Sequence, residues 1–217
     1  MRSMRNSIHQ IVAAGGVDEA GATEAAAKWM DRLYPNMREG MEQNTYLYSS
    51  DENPTQDSQV TLKYKNLYMV YFGAMHDYYY FYINADTGIM SSFTHSTSDF
   101  GKMGVSEAET RKAIEDFLPD AKKQLKETFG IQSYDKIYAY FTTTETEGNA
   151  FGGFSYHFVT DKGDDYILKY LVQTGELYEY TDTLYPEYVE LAEEAEQFLK
   201  KGQENYEEKT THKVELE

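Results

Sequence analysis

The sequence predicts an α+β fold of two repeats, each a helix packed on an antiparallel β-sheet, plus a C-terminal helix. Three observations lead there. A helix-start phrase occurs twice, as Gly16-Val-Asp-Glu-Ala20 and Gly104-Val-Ser-Glu-Ala108, 88 positions apart. A turn phrase also occurs twice, as Asp86-Thr-Gly88 and Gln173-Thr-Gly175, 87 positions apart. Between the members of each set, a three- and four-residue apolar period gives way to short runs rich in tyrosine and β-branched residues. Either pair alone is weak evidence; both in near-constant register point to duplication. The boundaries that follow are 17–99 and 104–183 for the repeats, and 184–217 for the last helix and a polar tail. The join falls near residues 96–102.

The helices come first in each copy. Asp18 and Ser106 are N-cap candidates, because their side-chain oxygens can accept from the free N–H groups of a first helical turn. Glu19 and Glu107 follow, on the favourable side of the helix dipole. The first helix runs through ATEAAAKWMDRLY towards Pro35, with Val17, Ala20, Ala27, Met30 and Tyr34 on its apolar stripe. The second has the wider stripe Ala113, Ile114, Phe117, Leu118, Ala121, Leu125 and Phe129. Pro119 falls inside that stripe, which predicts a kink or break, and Gly130 is a natural stop.

Strands follow each helix. The first copy offers NTYLYSS, SQVTLKY, LYMVYFG and YYYFYINA, with the polar loop DENPTQD after the first. The second offers YDKIYAYFTTT, AFGGFSYHFVT and DYILKYLV, with ETEGN and DKGDD as turns. Residues 184–201 form the last helix candidate, with Pro186 in its first turn and Leu191, Ala195, Phe198 and Leu199 as its stripe. HKVELE near the end has the alternation of an added edge strand.

Gly88 and Gly175 stand where a strand must turn with positive φ, and Asp86 is placed to close an Asx turn on its own backbone. These are structural positions. The parity of the preceding strands is more informative. In DYILKYLV, Lys169 belongs in water, which sends Tyr166, Leu168, Tyr170 and Val172 towards the helix. Carried back 87 positions, this places Tyr79, Phe81 and Ile83 inside and Tyr78, Tyr80 and Tyr82 on the outer face. Those three tyrosines are the candidate binding residues, because tyrosine is enriched at interface hot spots. The competing reading is ordinary cross-strand or repeat-on-repeat packing.

Composition removes several function classes. The net charge of −17 repels nucleic acid and anionic lipid, and no basic stripe offsets it. With no cysteine there is neither thiol catalysis nor a thiolate zinc site. The 21 tyrosines and 11 phenylalanines suit sheets that are half buried and half wet. No apolar run approaches the roughly 20 residues that span a bilayer, and MRSMRNSIHQIVAAGG lacks the apolar centre of a signal peptide. The segment is therefore expected to make no membrane insertion, with any leader or anchor absent from it.

No catalytic or metal-binding set emerges. His9, His76, His95, His157 and His212 are scattered, without a helical metal pair. The His76-Asp77 pair reads as a solvated hairpin tip, and Gly152-Gly153 as a bulge or close backbone approach rather than a phosphate cradle. The acidic turn Asp161-Lys-Gly-Asp164-Asp165 is a calcium candidate without the spaced ligand series of an EF-hand. The expectation is a chain that is not an enzyme and carries no cofactor.

VDEA followed by YFYINADTGIM, and VSEA followed by ILKYLVQTGEL, resemble the PepSY family across most of 17–99 and 104–183. The second closing phrase departs from the family's D-A-x-T-G at Gln173. The resemblance implies a helix packed across an antiparallel sheet, and a bacterial extracytoplasmic module, secreted or membrane-anchored. It transfers no catalytic residue. The implied partner is another protein, with peptidase regulation, or inhibition of a peptidase or cell-wall enzyme, as the task. The alternatives are a sensor of a small ligand or cell-wall fragment, and a hydrolase whose site assembles only in three dimensions.

Overall fold

The cap chemistry acts where it was expected. In the computed structural model, which describes residues 16–48, 62–64, 67–97, 104–144, 149–150, 152–163, 165–183, 188–191 and 209–217, α1 spans Glu19–Leu33 and α2 spans Glu107–Glu127. The Gly21 N–H donates to Asp18 Oδ1 at 2.8 Å. At α2, Ser106 and Glu109 close a reciprocal capping box. The buried face of α1 is Ala22, Ala25, Ala26, Trp29 and Met30, while Ala20 is exposed. Small alanines let the helix lie close to the sheet, and this displaces the stripe from the expected positions.

Pro119 does not break α2. It lies on the exposed side, as does Glu115, whose carbonyl would have received the missing N–H, so water can satisfy that oxygen. The helix buries Thr110, Ala113, Ile114, Ala121 and Leu125. Its end reverses at Gly130, with φ +71°.

The strands are β1 (Glu42–Tyr48), β2 (Leu62–Tyr64), β3 (Leu67–Ala74), β4 (Asp77–Asn84), β5 (Met90–Thr97), β6 (Val105–Ser106), β7 (Lys136–Thr144), β8 (Asn149–Ala150), β9 (Gly153–Val159), β10 (Asp165–Leu171), β11 (Leu177–Asp182), β12 (Tyr188–Leu191) and β13 (Lys209–Leu216). Most belong to one antiparallel sheet of order β1-β3-β4-β5-β11-β10-β9-β7-β8-β6, with β13 also on β7. The second meander thus enters in mirror order to the first. The two meet at a seam where Phe93 of β5 pairs with Tyr180 of β11.

The core lies between this sheet and the two helices. Around the seam it is aromatic: Phe129 stacks on Tyr180 at 3.9 Å and on Trp29 at 5.8 Å between ring centroids. Arg32, near the end of α1, donates to the Glu127 carbonyl at the end of α2, where a cation complements the helix dipole.

The expected C-terminal helix is corrected in its described part. Tyr188–Leu191 is a strand, paired with β2 through Tyr188↔Tyr64 and Leu191↔Leu62. Tyr-Val suits a strand whenever a partner offers its backbone. His212–Leu216 of HKVELE lie within β13, paired with β7. His9, DENPTQD, residues 98–103 of the expected join, Asp164 and the Ala195, Phe198 and Leu199 stripe lie outside the described residues.

Candidate functional site

The parity of β4 decides which side chains face outwards. Tyr79, Phe81 and Ile83 are buried beneath the helices, and Tyr78, Tyr80 and Tyr82 are half-buried on the opposite face. Register places Tyr78 beside Gly73, Tyr80 beside Tyr71 and Tyr82 beside Met69 on β3. On the other side these tyrosines meet Ser96, Thr94 and Ser92 of β5. Neither α1 nor α2 covers this face.

Tyr71 completes the cluster, and the sequence reading missed it. Its ring lies 6.0 Å from that of Tyr78 and 5.5 Å from that of Tyr80. A Cβ at Gly73 would stand 2.0 Å from the Tyr71 hydroxyl oxygen, so with any other residue there the ring would have to shift from this position. The signal was available: a mid-strand glycine marks a close approach, and Tyr71 lies two residues before it. Tyr78 donates its hydroxyl to the Met75 carbonyl at 2.8 Å, and Tyr46 of β1 is 51% exposed beyond Met69. Burial, and then the neighbouring Tyr78 and Tyr80, raise the Tyr71 hydroxyl above its ordinary value.

The other half of the outer face is also aromatic. The Lys213 ammonium sits 3.7 Å from the centre of the Tyr138 ring, a cation–π contact. Tyr140 lies 4.5 Å from the His157 ring, and His157 Nδ1 is 3.2 Å from Asp165 Oδ2. Burial holds His157 below its ordinary range, against the opposing pull of Asp165. Tyr178 occupies the space above Gly153, where a Cβ would be 2.9 Å from its hydroxyl oxygen. The tight neighbour at Gly153 is thus a side chain, with the Tyr170 carbonyl oxygen behind it at 3.3 Å.

Gly88 and Gly175 have φ +69° and +67°. Their turns carry matching bonds: Gly88 N–H to Asn84 O at 2.7 Å, and Gly175 N–H to Leu171 O at 2.9 Å. Asn84 N–H to Ile89 O and Leu171 N–H to Glu176 O match in the same way, each at 2.9 Å. The side chain closing the first turn is Asn84, which corrects the assignment to Asp86. Asn84 Oδ1 accepts from Asp86 N–H at 3.0 Å, from Thr87 N–H at 2.9 Å and from the Thr87 hydroxyl at 3.0 Å. Two residues earlier, a side-chain oxygen reaches the turn's N–H groups without competing with water, and Asp86 is exposed.

The histidines are brought to separate places. His95 is buried at the seam, with Nδ1 2.8 Å from Glu176 Oε1 and Nε2 3.6 Å from Asp77 Oδ1. His157 belongs to the outer face, and His212 Nε2 lies 2.9 Å from Thr143 Oγ1. His76 is exposed at the hairpin tip, whereas Asp77 turns back towards His95. Asp165 of the acidic turn is engaged by His157, and among the described residues no three metal-capable side chains gather. No helix of the described residues is long and apolar enough to cross a membrane.

No protein-family model matches the chain, and no curated protein matches it. Among solved structures it is similar to the Bacillus megaterium YpeB C-terminal domain, at 14% sequence identity and a TM-score of 0.44. The match covers 78% of this chain and 65% of that one, so the chain spans just under two-thirds of that domain's length.

Proposed function

We propose that this chain is a non-catalytic binding module built from two PepSY-like repeats, acting outside the cytoplasm and docking on a peptidase or cell-wall enzyme. The open tyrosine face carries this reading. Among the described residues both helices lie on one side of the sheet, and the other side presents Tyr71, Tyr78, Tyr80 and Tyr82 in one half-buried cluster. Such rings offer large contact area at low entropic cost, with hydroxyls for a partner's polar rim. The mirrored strand order and the matching turn bonds support duplication. The location rests on the sequence resemblance, and the reading frame upstream of Met1 tests it: a leader or membrane anchor there supports it.

A photo-reactive phenylalanine analogue placed at position 80 tests the surface in the source cells. A peptidase or cell-wall enzyme is the expected cross-linked product. With the purified pair, Tyr80→Ala should weaken binding by about 1–2 kcal/mol, while the melting temperature moves little. If the variant melts early and its folded fraction binds as before, the tyrosines are packing and the reading fails.

A further inference from the structure

The two ends of the sheet are finished differently. At one end β13 lies along β7 through eight residue pairs, from Lys209↔Thr144 to Leu216↔Ile137. Val214 and Leu216 pack on the core from this position, and Lys213 reaches the rings of Tyr138 and Tyr140. β1 holds the corresponding place at the other end: each is the first long strand after its helix and leads into its own meander. Among the described residues nothing pairs with the outer edge of β1.

An open edge presents a row of backbone donors and acceptors ready for another strand. Proteins usually blunt such edges with lysine, proline or a bulge. β1 reads EQNTYLY, has none of these residues, and keeps unbroken register with β3 over all seven positions. Glu42, Gln43, Asn44, Tyr46 and Leu47 are exposed.

We infer that the edge of β1 accepts an extended segment of a partner polypeptide carrying lysine or arginine, which adds as a further antiparallel strand. This rests on the binding-module reading and specifies the partner's form. Charge selects the occupant. Inward side chains of an added strand would enter a groove of about 600 Å³ between α1 and β1, lined by Asp18, Glu19, Thr23, Glu24, Arg38 and Gln43. Arg38 is held by Asp31, and Lys28 by Glu24. Among the described residues Asp18 and Glu19 make no ion pair, so the groove keeps a negative surplus. A second copy would bring the same acids and its own net charge of −17, which disfavours self-pairing. Outward basic side chains would lie beside Tyr46, as Lys213 lies beside Tyr138.

The probes are a fluorescein-labelled peptide, Thr-Lys-Val-Lys-Val-Lys-Val-Thr, and its counterpart with glutamate at each lysine, titrated into the full chain by anisotropy. The lysine peptide should bind roughly tenfold or more tightly than the glutamate one. It should slow amide hydrogen exchange in residues 42–48. The double variant Glu19→Lys with Glu24→Lys, checked for folding by its melt, should reverse the preference. Equal binding of both peptides, no saturation, an unchanged preference in the variant, or protection confined to β4 or β7 would each overturn the inference. If the edge fails while cross-linking from position 80 still captures its enzyme, the binding-module reading survives alone.

Discussion

His95 and Glu176 share a hydrogen bond of 2.8 Å across 81 positions of the chain. One stands on β5 and the other in the turn between β10 and β11, so the bond spans the seam where the two meanders join. The imidazole stacks on Tyr79 at 4.2 Å with ring planes 5° apart, and Tyr34 meets it edge-on. Tyr34 in turn donates to the Leu177 carbonyl at 2.7 Å. Helix end, strand and turn are thereby tied at one point.

Glu176→Ala should therefore destabilise the fold by about 1–3 kcal/mol, since it strips a hydrogen-bond partner from a buried imidazole. Denaturant melts measure this. A double-mutant cycle with His95→Ala should show a coupling of about 1 kcal/mol. Additive losses would mean that the contact contributes nothing of its own.

Asn84→Ala should cost about 1–2 kcal/mol, because three donors of the turn lose their acceptor. Asp86→Ala should stay within about 0.5 kcal/mol, as exposed substitutions generally do. The reverse ranking of the two melting temperatures would return the turn to Asp86.

Alanine at Gly88 should cost about 1–2 kcal/mol from the left-handed backbone alone. At Gly175 the loss should be larger, because the new Cβ would lie 3.2 Å from Cζ of Phe117 on α2. Equal losses at the two sites would show that Phe117 yields without cost.

Alkaline pH should unfold the protein earlier than its composition suggests. Burial pushes the Tyr79 and Tyr178 hydroxyls up to about 12, aided by Asp77 and Glu176 beside the first and Glu179 beside the second. Tyr34, Tyr156 and Tyr170 are also raised, chiefly by burial. Unfolded tyrosines ionise near 10. Below that value both states hold the proton and stability is intact. As pH rises from about 10 towards 12, the unfolded chain releases protons that the folded chain keeps, so stability falls. The guanidinium midpoint should hold to about pH 9 and then decline, less steeply in Tyr79→Phe. A midpoint level to about pH 12 would contradict this.

What the residues determined alone is what neighbours a few positions apart can decide. Asp18 and Ser106 cap because the first helical turn is within their reach, and Gly88 and Gly175 turn because their φ must be positive. Lys169 sets the wet face of β10 because side chains alternate, and this correctly sorted Tyr79 from Tyr78 and Tyr80. Asn84 outreached Asp86 by position, a local detail that the shared Thr-Gly of the two turn phrases concealed. Tertiary structure decided the rest. Nothing within YVEL says that β2 will offer it a backbone partner, so residues 188–191 read as the start of a helix and form a strand. The β5–β11 seam, the His95–Glu176 bond and β13 on β7 join segments tens of residues apart. Such pairings are chosen by which edges and faces remain unsatisfied once the local elements have formed, and that depends on the whole assembled sheet.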